Sequence, residues 1–430
     1  MDTKLTFLLF LISPLLLSAQ DNLWSLEKCL DYALEHSIEM QKGRISIEES
    51  DVNIKQAKAQ WQPSLSFNTS HSINNNPYKG LTSYNGNYGL NAGWTVFNGF
   101  KRKYSIQQQK LQGEIETGNV ALTEEEIKIA VLTDYIQVLY AIENLKTKQN
   151  SMEVAEADYN RNKQLFEAGA ISKSDFSQIE AQYMNEKYQL VVAENDLIES
   201  KLNFKLLLRL DSNTEFDIIS PSISEEEILK TIPNKDDIYQ KTLSTRPEVQ
   251  NAMLNEKMSE LKIKSAKSGY YPSISLNAGV STGHNSRADI NAGQQMKQNF
   301  GENIGLSLNY SIMDNRSRRS EVERAKLEQK STQLQTEKIK DDLYKQIEAA
   351  YNDAIAAQMN YVSSVSNEKA AEASFNLTKE KFDLGIRNPY EMLNEKNALI
   401  KALQQTLQAK YTAILNIQIL NIYQGLPIVI

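Results

Sequence analysis

A ten-residue stretch occurs twice in this chain, and the rest is arranged around it. Phe166-Glu-Ala-Gly169-Ala-Ile-Ser172-Lys-Ser-Asp175 returns as Phe382-Asp-Leu-Gly385-Ile-Arg-Asn388-Pro-Tyr-Glu391. The phenylalanines lie 216 positions apart (382 − 166), and the glycines, the Ser172/Asn388 pair and the acids keep that offset. Each copy closes one long polar helical pattern and opens another. Glycine supplies the left-handed backbone that stops a helix. Ser172 or Asn388, followed three residues later by Asp175 or Glu391, has the form of a capping box, and Pro389 suits a first helical position. Two helical hairpin tips are therefore predicted, at about 166–175 and 382–391.

The segments between the tips repeat as well. A helical pattern through Leu26, Leu30, Ala33, Ile45 and Ile54 reaches about Gln60 and stops at Pro63. From Ser64 the period becomes two, which predicts strands at about 64–72 and 86–97 around an Asn/Gly/Tyr-rich loop from Asn74 to Asn85. In the second strand Tyr88, Leu90, Ala92, Trp94 and Val96 share one face, and Gly89, Asn91, Gly93 and Thr95 the other. A helical pattern then runs from Asn98-Gly99 to about Gln164, roughly 100 Å at about 1.5 Å per residue. Its stripe Ile127, Val131, Tyr135, Val138, Ile142, Leu145 has coiled-coil spacing.

After the first tip and a return helix to Leu208, Asp211 to Asp237 breaks the pattern with Pro221 and Pro233, and everything recurs. Strands are predicted at about 273–282 and 303–313, the latter carrying Ile304, Leu306, Leu308, Tyr310 and Ile312 on one face, with a polar loop from Gly283 to Gly301 between them. The long helix repeats its stripe as Leu343, Ile347, Tyr351, Ala354, Gln358 and Tyr361. The offset is 209 before the strand pair (272 − 63) and 216 after it (305 − 89), so the second strand loop is longer by seven residues. An offset held that long marks a tandem duplication. The expected organisation is 1–20 signal peptide, 21–210 first repeat, 211–237 linker or equatorial segment and 238–430 second repeat.

The segment from Met1 to Gln20 places Lys4 before an apolar core, Leu5 to Leu17, and the small residues Ser18-Ala19. It reads as a cleaved secretory signal, because a core this short does not cross a bilayer. The lone cysteine, Cys29, sits within a helical pattern, so neither a disulfide nor an N-terminal lipid anchor is expected. With a net charge of −7 the chain gives no reason to expect nucleic acid. Three histidines, His36, His71 and His284, one cysteine and no clustered carboxylates leave no catalytic constellation, metal set or phosphate loop, so an enzyme, a cofactor and a bound metal are not expected.

Each strand opposes an apolar face to one of Ser, Asn, Gly and Thr, the pattern of a transmembrane β-barrel with lipid outside and a polar lumen inside. Leu90, Trp94, Leu306, Leu308 and Tyr310 are then candidate lipid-facing residues. Four strands cannot close a barrel when about eight is the minimum, and an open edge cannot lie in hydrocarbon. Several copies must pool their strands. The long helices, with a narrow apolar stripe and no compact core of their own, need neighbours too.

The order of helix, Pro-Ser-Leu/Ile-Ser strand, second strand, long helix, Phe-x-x-Gly tip and return helix, twice over behind a signal peptide, resembles the TolC-like outer-membrane efflux proteins over essentially the whole mature chain. The resemblance implies a mainly α fold with a transmembrane β part: a homotrimer whose twelve-stranded barrel continues into a periplasmic α-helical barrel. It implies an outer-membrane location in a Gram-negative bacterium and a passive exit duct of a tripartite efflux or type I secretion system. The implied partners are outer-membrane lipid, a periplasmic adaptor and an inner-membrane pump of the RND, ABC or MFS kind. Carried over by the tips, Asp175 and Arg387 would form a gate-holding contact, Phe382 would stand at an aromatic lock and Glu391 would line the constriction, with Phe166, Gly169, Ser172, Gly385 and Asn388 shaping the turns. Asn394 departs from the family pattern, where an acid would add a second negative ring, and a weaker cation preference follows.

Other readings stay open on the residues alone. Asp175 and Glu391 also serve as plain capping acids, and Arg387 as a solvated charge. A secreted coiled-coil scaffold without a pore would explain the helices but not the two-faced strands.

Overall fold

A computed structural model describes residues 23–211, 213–221 and 223–428. The signal segment expected at 1–20 lies outside them. In chain order the first half runs β1 (Leu23–Trp24), α1 (Leu26–His36), α2 (Ile38–Ala59), β2 (Ser64–Asn76), β3 (Leu81–Asn98), α3 (Lys101–Glu167) and α4 (Lys173–Leu208). Then come β4 (Asp217–Ile218), α5 (Glu225–Ile228), α6 (Lys235–Thr245), α7 (Pro247–Ser268), β5 (Ser273–Asn285), α8 (Ala292–Gln298), β6 (Gly301–Asn309), α9 (Ser317–Asp383) and α10 (Pro389–Tyr423). The two long helices α3 and α9 are both 67 residues long and both start and end 216 positions apart.

The chain divides into two compact units. One comprises Gln41–Thr123 and Gln240–Lys345, the other the residues up to Met40, Glu124–Tyr239 and those from Gln346 on.

The first unit holds an antiparallel four-stranded sheet in the order β2-β3-β5-β6. The strands differ from the sequence expectation at their ends. Pairing of β2 with β3 continues to Asn76↔Leu81, so the loop expected from Asn74 to Asn85 shrinks to a turn at 77–80. The polar loop expected from Gly283 to Gly301 instead carries α8; the side chains of its Gln295 and of Asn299, just past its end, bond the backbone of Asn285 and Gly283. Those side-chain bonds satisfy the upper edge of β5 beyond Ser281, where its pairing with β6 ends. β6 stops at Asn309, so Tyr310 and Ile312 fall just past the strand expected to reach 313. A register shift between Thr95 and Phe97 puts Phe97, not Val96, opposite Ile274; an inserted residue exchanges the two faces of a strand.

At both sheet-to-helix corners the chain takes two consecutive left-handed residues, Gly99 (φ 66) with Phe100 (φ 68) and Asn315 (φ 50) with Arg316 (φ 68). The second residue of each long helix is an arginine that reaches back to the strand. Arg102 Nη2 donates to the Thr95 carbonyl and its guanidinium lies 4.4 Å from the Trp61 ring centroid. Arg318 donates to the Ser311 (2.5 Å) and Gly269 (3.2 Å) carbonyls, lies 5.6 Å from the Tyr270 centroid and bonds Asp314 at 2.6 Å.

The second unit is held by an aromatic cluster. Trp24 meets Tyr32 and Phe216, and Phe204 meets Phe216 and Tyr135, all edge-on. β1 pairs in parallel with β4, and the Tyr135 hydroxyl donates to the Ile219 carbonyl at 2.6 Å. Within the stretch 211–237, Phe216, Ile218 and Ile228 are buried. The single helix expected up to Gln60 is broken at Ser37, whose hydroxyl accepts from the Glu39 and Met40 amides, a local bond that competes with the helix ladder. Of the two expected stripes, Ile127, Val131, Tyr135, Val138, Leu343, Ile347, Ala354 and Tyr361 are buried, whereas Ile142, Leu145, Tyr351 and Gln358 are half-buried.

Candidate functional site

Alternation of side chains along each strand and the pairing register together decide the two faces of the sheet. On one face Phe67, Leu90 and Val280 stand in a row that ends on Glu302 in β6, next to Leu65, Ala92, Ala278 and Ile304, then Trp94, Leu276 and Leu306, and Ile274 and Leu308. On the other, Ser66, Asn91, Gly279 and Asn303 form one row and Ser64, Gly93, Asn277 and Gly305 the next. The apolar rows are open to solvent in a single chain, with Phe67 66%, Leu306 71% and Leu308 66% exposed. A contiguous exposed apolar band of this kind marks a surface meant for lipid or for another protein. Among the described residues no strand pairs with the outer edge of β2 or β6. No helix among them is long and apolar enough to cross a membrane.

Leu90, Trp94, Leu306 and Leu308 thus lie together on the apolar face. Tyr310 lies one residue beyond β6 and is exposed.

The two tips have the same backbone. Gly169 (φ 77) and Gly385 (φ 73) are left-handed. Their N–H groups donate to Phe166 and Phe382, and the next residues donate to Leu165 and Lys381, at 2.8–2.9 Å. These bonds occupy carbonyls that the ended helix leaves over. Ser172 accepts from the Asp175 amide at 3.1 Å and donates to its carboxylate at 2.7 Å. Asn388 and Glu391 complete a full capping box. Phe166 stacks on Phe176 across the first tip at 4.9 Å.

Arg387, in the turn before α10, pairs with Glu391 in the first turn of that helix at 2.5 Å. Asp175 is held by Ser172. The expected pair Asp175–Arg387 is thus not brought together within one chain; each has a partner nearby in sequence.

What the sequence did not reveal is a polar seam between the repeats. Lys396 of α10 meets Asp158 of α3 at 3.0 Å, Lys410 meets Glu143 at 3.3 Å, and Gln182 of α4 donates to Asn397 at 3.2 Å. Burial pushes the Tyr411 hydroxyl up, and the Glu143 carboxylate beside it adds to the shift. Burial also lowers Lys148, opposed by nearby Glu186. The partners of the seam are more than 200 residues apart, so no periodicity announces them.

Comparison with known proteins agrees with this geometry. A family model described as outer membrane efflux protein matches residues 29–208 and 238–420, one stretch in each repeat. The chain is 22% identical over 389 residues to outer membrane protein TolC of Salmonella enteritidis, covering 88% of this chain and 77% of that one. It is 18% identical over 384 residues to outer membrane efflux protein BepC of Brucella suis, covering 89% and 81%. Among solved structures, CusC superposes with a TM-score of 0.80 at 14% identity, covering 94% of this chain and 92% of that one. The CmeC outer membrane channel of Campylobacter jejuni gives 0.78 at 18% identity, covering 93% and 85%. The mainly helical fold with its β part is thus that of outer-membrane channels, and the chain belongs to the outer membrane efflux protein family and is a protein of the outer membrane.

Proposed function

We propose that the protein is the passive exit duct of a tripartite efflux or type I secretion system, gated at the two helical tips. Three copies pool their strands into a twelve-stranded barrel and their helices into a tunnel. A periplasmic adaptor and an inner-membrane pump supply the cargo and the energy. The observation that carries this reading is the four-stranded sheet, with an exposed apolar face, a Ser/Asn/Gly face behind it and two unpaired edges. An open edge in hydrocarbon leaves backbone groups unbonded at several kcal/mol each, and joining β6 of one copy to β2 of the next removes that cost. CmeC of Campylobacter jejuni, whose fold this chain shares, is an outer membrane channel, which supports the duct reading.

At the tips we assign Phe382 to an aromatic constriction, Glu391 to its charged lining and Arg387 to holding it closed. The close Arg387–Glu391 pair supports this by fixing both charges at the mouth of α10. Asp175 completes the mouth from the first repeat.

Single-channel recording of detergent-purified protein in a planar bilayer tests the proposal. Wild type should insert with small conductance, and Arg387→Ser should raise it several-fold. Failure of both proteins to insert would overturn the duct, and insertion with equal conductance would overturn the gate alone.

A further inference from the structure

The two sheet-to-helix corners are built alike but charged differently. Each long helix starts with three cations in or beside its first turn, Lys101, Arg102 and Lys103 in one repeat and Arg316, Arg318 and Arg319 in the other. Neither first turn contains an acid. Cations at a helix N-terminus oppose the macrodipole, so both corners carry positive charge where the fold least tolerates it.

The second repeat answers this internally. Asp314 Oδ2 lies 2.6 Å from Arg318 Nε, and Glu323 accepts from Arg316 at 3.2 Å and from Arg319 at 3.1 Å. Subtracting the repeat offset of 216, those two acids fall on Asn98 and Gln107, the uncharged isosteres of Asp and Glu. Asn98 still accepts from the Arg102 amide at 3.3 Å, so the turn is kept while the charge is gone. Arg102 is 4% exposed, its Nη1 is buried without a hydrogen-bond partner, and no ion pair reaches it among the described residues. A buried guanidinium without an anion is costly. Lys101 and Lys103 beside it are exposed, and among the described residues neither has an ion-pair partner.

The surroundings indicate which class of anion this corner suits. Trp61 and Phe100 are about half exposed at this corner, Tyr271 packs against Phe100 at 6.0 Å, and Trp94 donates to the Trp61 carbonyl at 2.9 Å. Amphipathic aromatics next to lysines, at the end of an apolar strand face, are what a membrane–water boundary selects. Resting on the proposed membrane placement of the sheet, we propose that Lys101, Arg102 and Lys103 form a binding site for the phosphate of an anionic phospholipid headgroup in the leaflet where β3 gives way to α3. In the equivalent corner of the second repeat each arginine is already paired with an acid, and that corner does not bind.

Native mass spectrometry of the full-length protein in detergent tests this, with phosphatidylglycerol and phosphatidylcholine added in parallel. Wild type should retain phosphatidylglycerol in preference to phosphatidylcholine, and millimolar inorganic phosphate should not displace it. Lys101→Gln/Lys103→Gln should weaken retention about twenty-fivefold, since each cation near an anionic surface contributes about 1 kcal/mol, or about fivefold. Asn98→Asp/Gln107→Glu, which gives this corner the acids of the other, should abolish the preference with the protein still folded. Equal retention of both lipids, or no change in either variant, would overturn the site. Displacement by phosphate would assign it to free anions instead. Loss of assembly in the lysine variant without change in lipid would assign it to an acid of a neighbouring copy. A protein that stayed in buffer without detergent would instead defeat the membrane placement itself.

Discussion

Lys396 and Asp158 form an ion pair 3.0 Å long, although the lysine side chain is only 6% exposed. Asp158 stands eight residues before Phe166 and Lys396 eight after Asn388, so the pair ties the two hairpins together about two turns behind their tips. Removing the acid strands a buried ammonium, which costs more than the pair itself contributes. Asp158→Asn should lower stability by about 2 kcal/mol, below the full buried-pair value because Asp158 is partly solvated. Asp158→Asn with Lys396→Met should recover most of that loss. Denaturant unfolding of the three proteins checks it, and equal loss in the single and double variants would refute it.

Charge at the tip sets ion preference in the proposed duct. Arg387 neutralises Glu391 within each chain, so Arg387→Ser should increase cation preference, while Glu391→Gln should reduce it. Reversal potentials in asymmetric potassium chloride measure both, and strong cation selectivity unaltered by Glu391→Gln would count against Glu391 as a lining residue.

Gly99 and Gly169 both take left-handed backbone, but only one is crowded. A Cβ on Gly99 would lie 2.3 Å from the Ser268 carbonyl oxygen, whereas Gly169 has open space around it. Gly169→Ala should cost about 1 kcal/mol for its φ alone. Gly99→Ala should cost about 3 kcal/mol or more, since the backbone of α7 must also shift. Thermal unfolding in detergent should rank the two in that order.

Burial raises Cys29 from 9.0 to about 12 and Tyr135 from 10.0 to about 12. Both are neutral when protonated, and their folded values lie above the unfolded ones. The stability they contribute is therefore complete below pH 9 and lost as pH rises from 9 towards 12, at up to about 1.4 kcal/mol per pH unit per group. Melting temperature followed from pH 8 to 11 should fall less steeply in Cys29→Ala/Tyr135→Phe than in wild type. A thiol reagent at pH 8 should label Cys29 only after unfolding.

The repeated tip, the switch from helical to strand period at Pro63 and Pro272, and the 216-residue offset were legible because they are local: capping, turn chemistry and side-chain alternation act over two to four residues. They determined the element order, the duplication, the two tips and the two-faced strands carrying Leu90, Trp94, Leu306 and Leu308. Tertiary structure decided what depends on distant partners or on backbone hydrogen bonds at an edge. The turn at 77–80, the α8 cover on β5, the shift that substitutes Phe97 for Val96 and the end of β6 before Tyr310 follow from register, which pairing energy sets and composition does not. The Lys396–Asp158 seam and the packing of 211–237 around Phe216 and Ile228 arise because burial brings together residues that no sequence period relates. Arg102 and Arg318 stand between the two cases. Their offset was in the sequence, but only the folded corner revealed that one guanidinium has its carboxylate and the other does not.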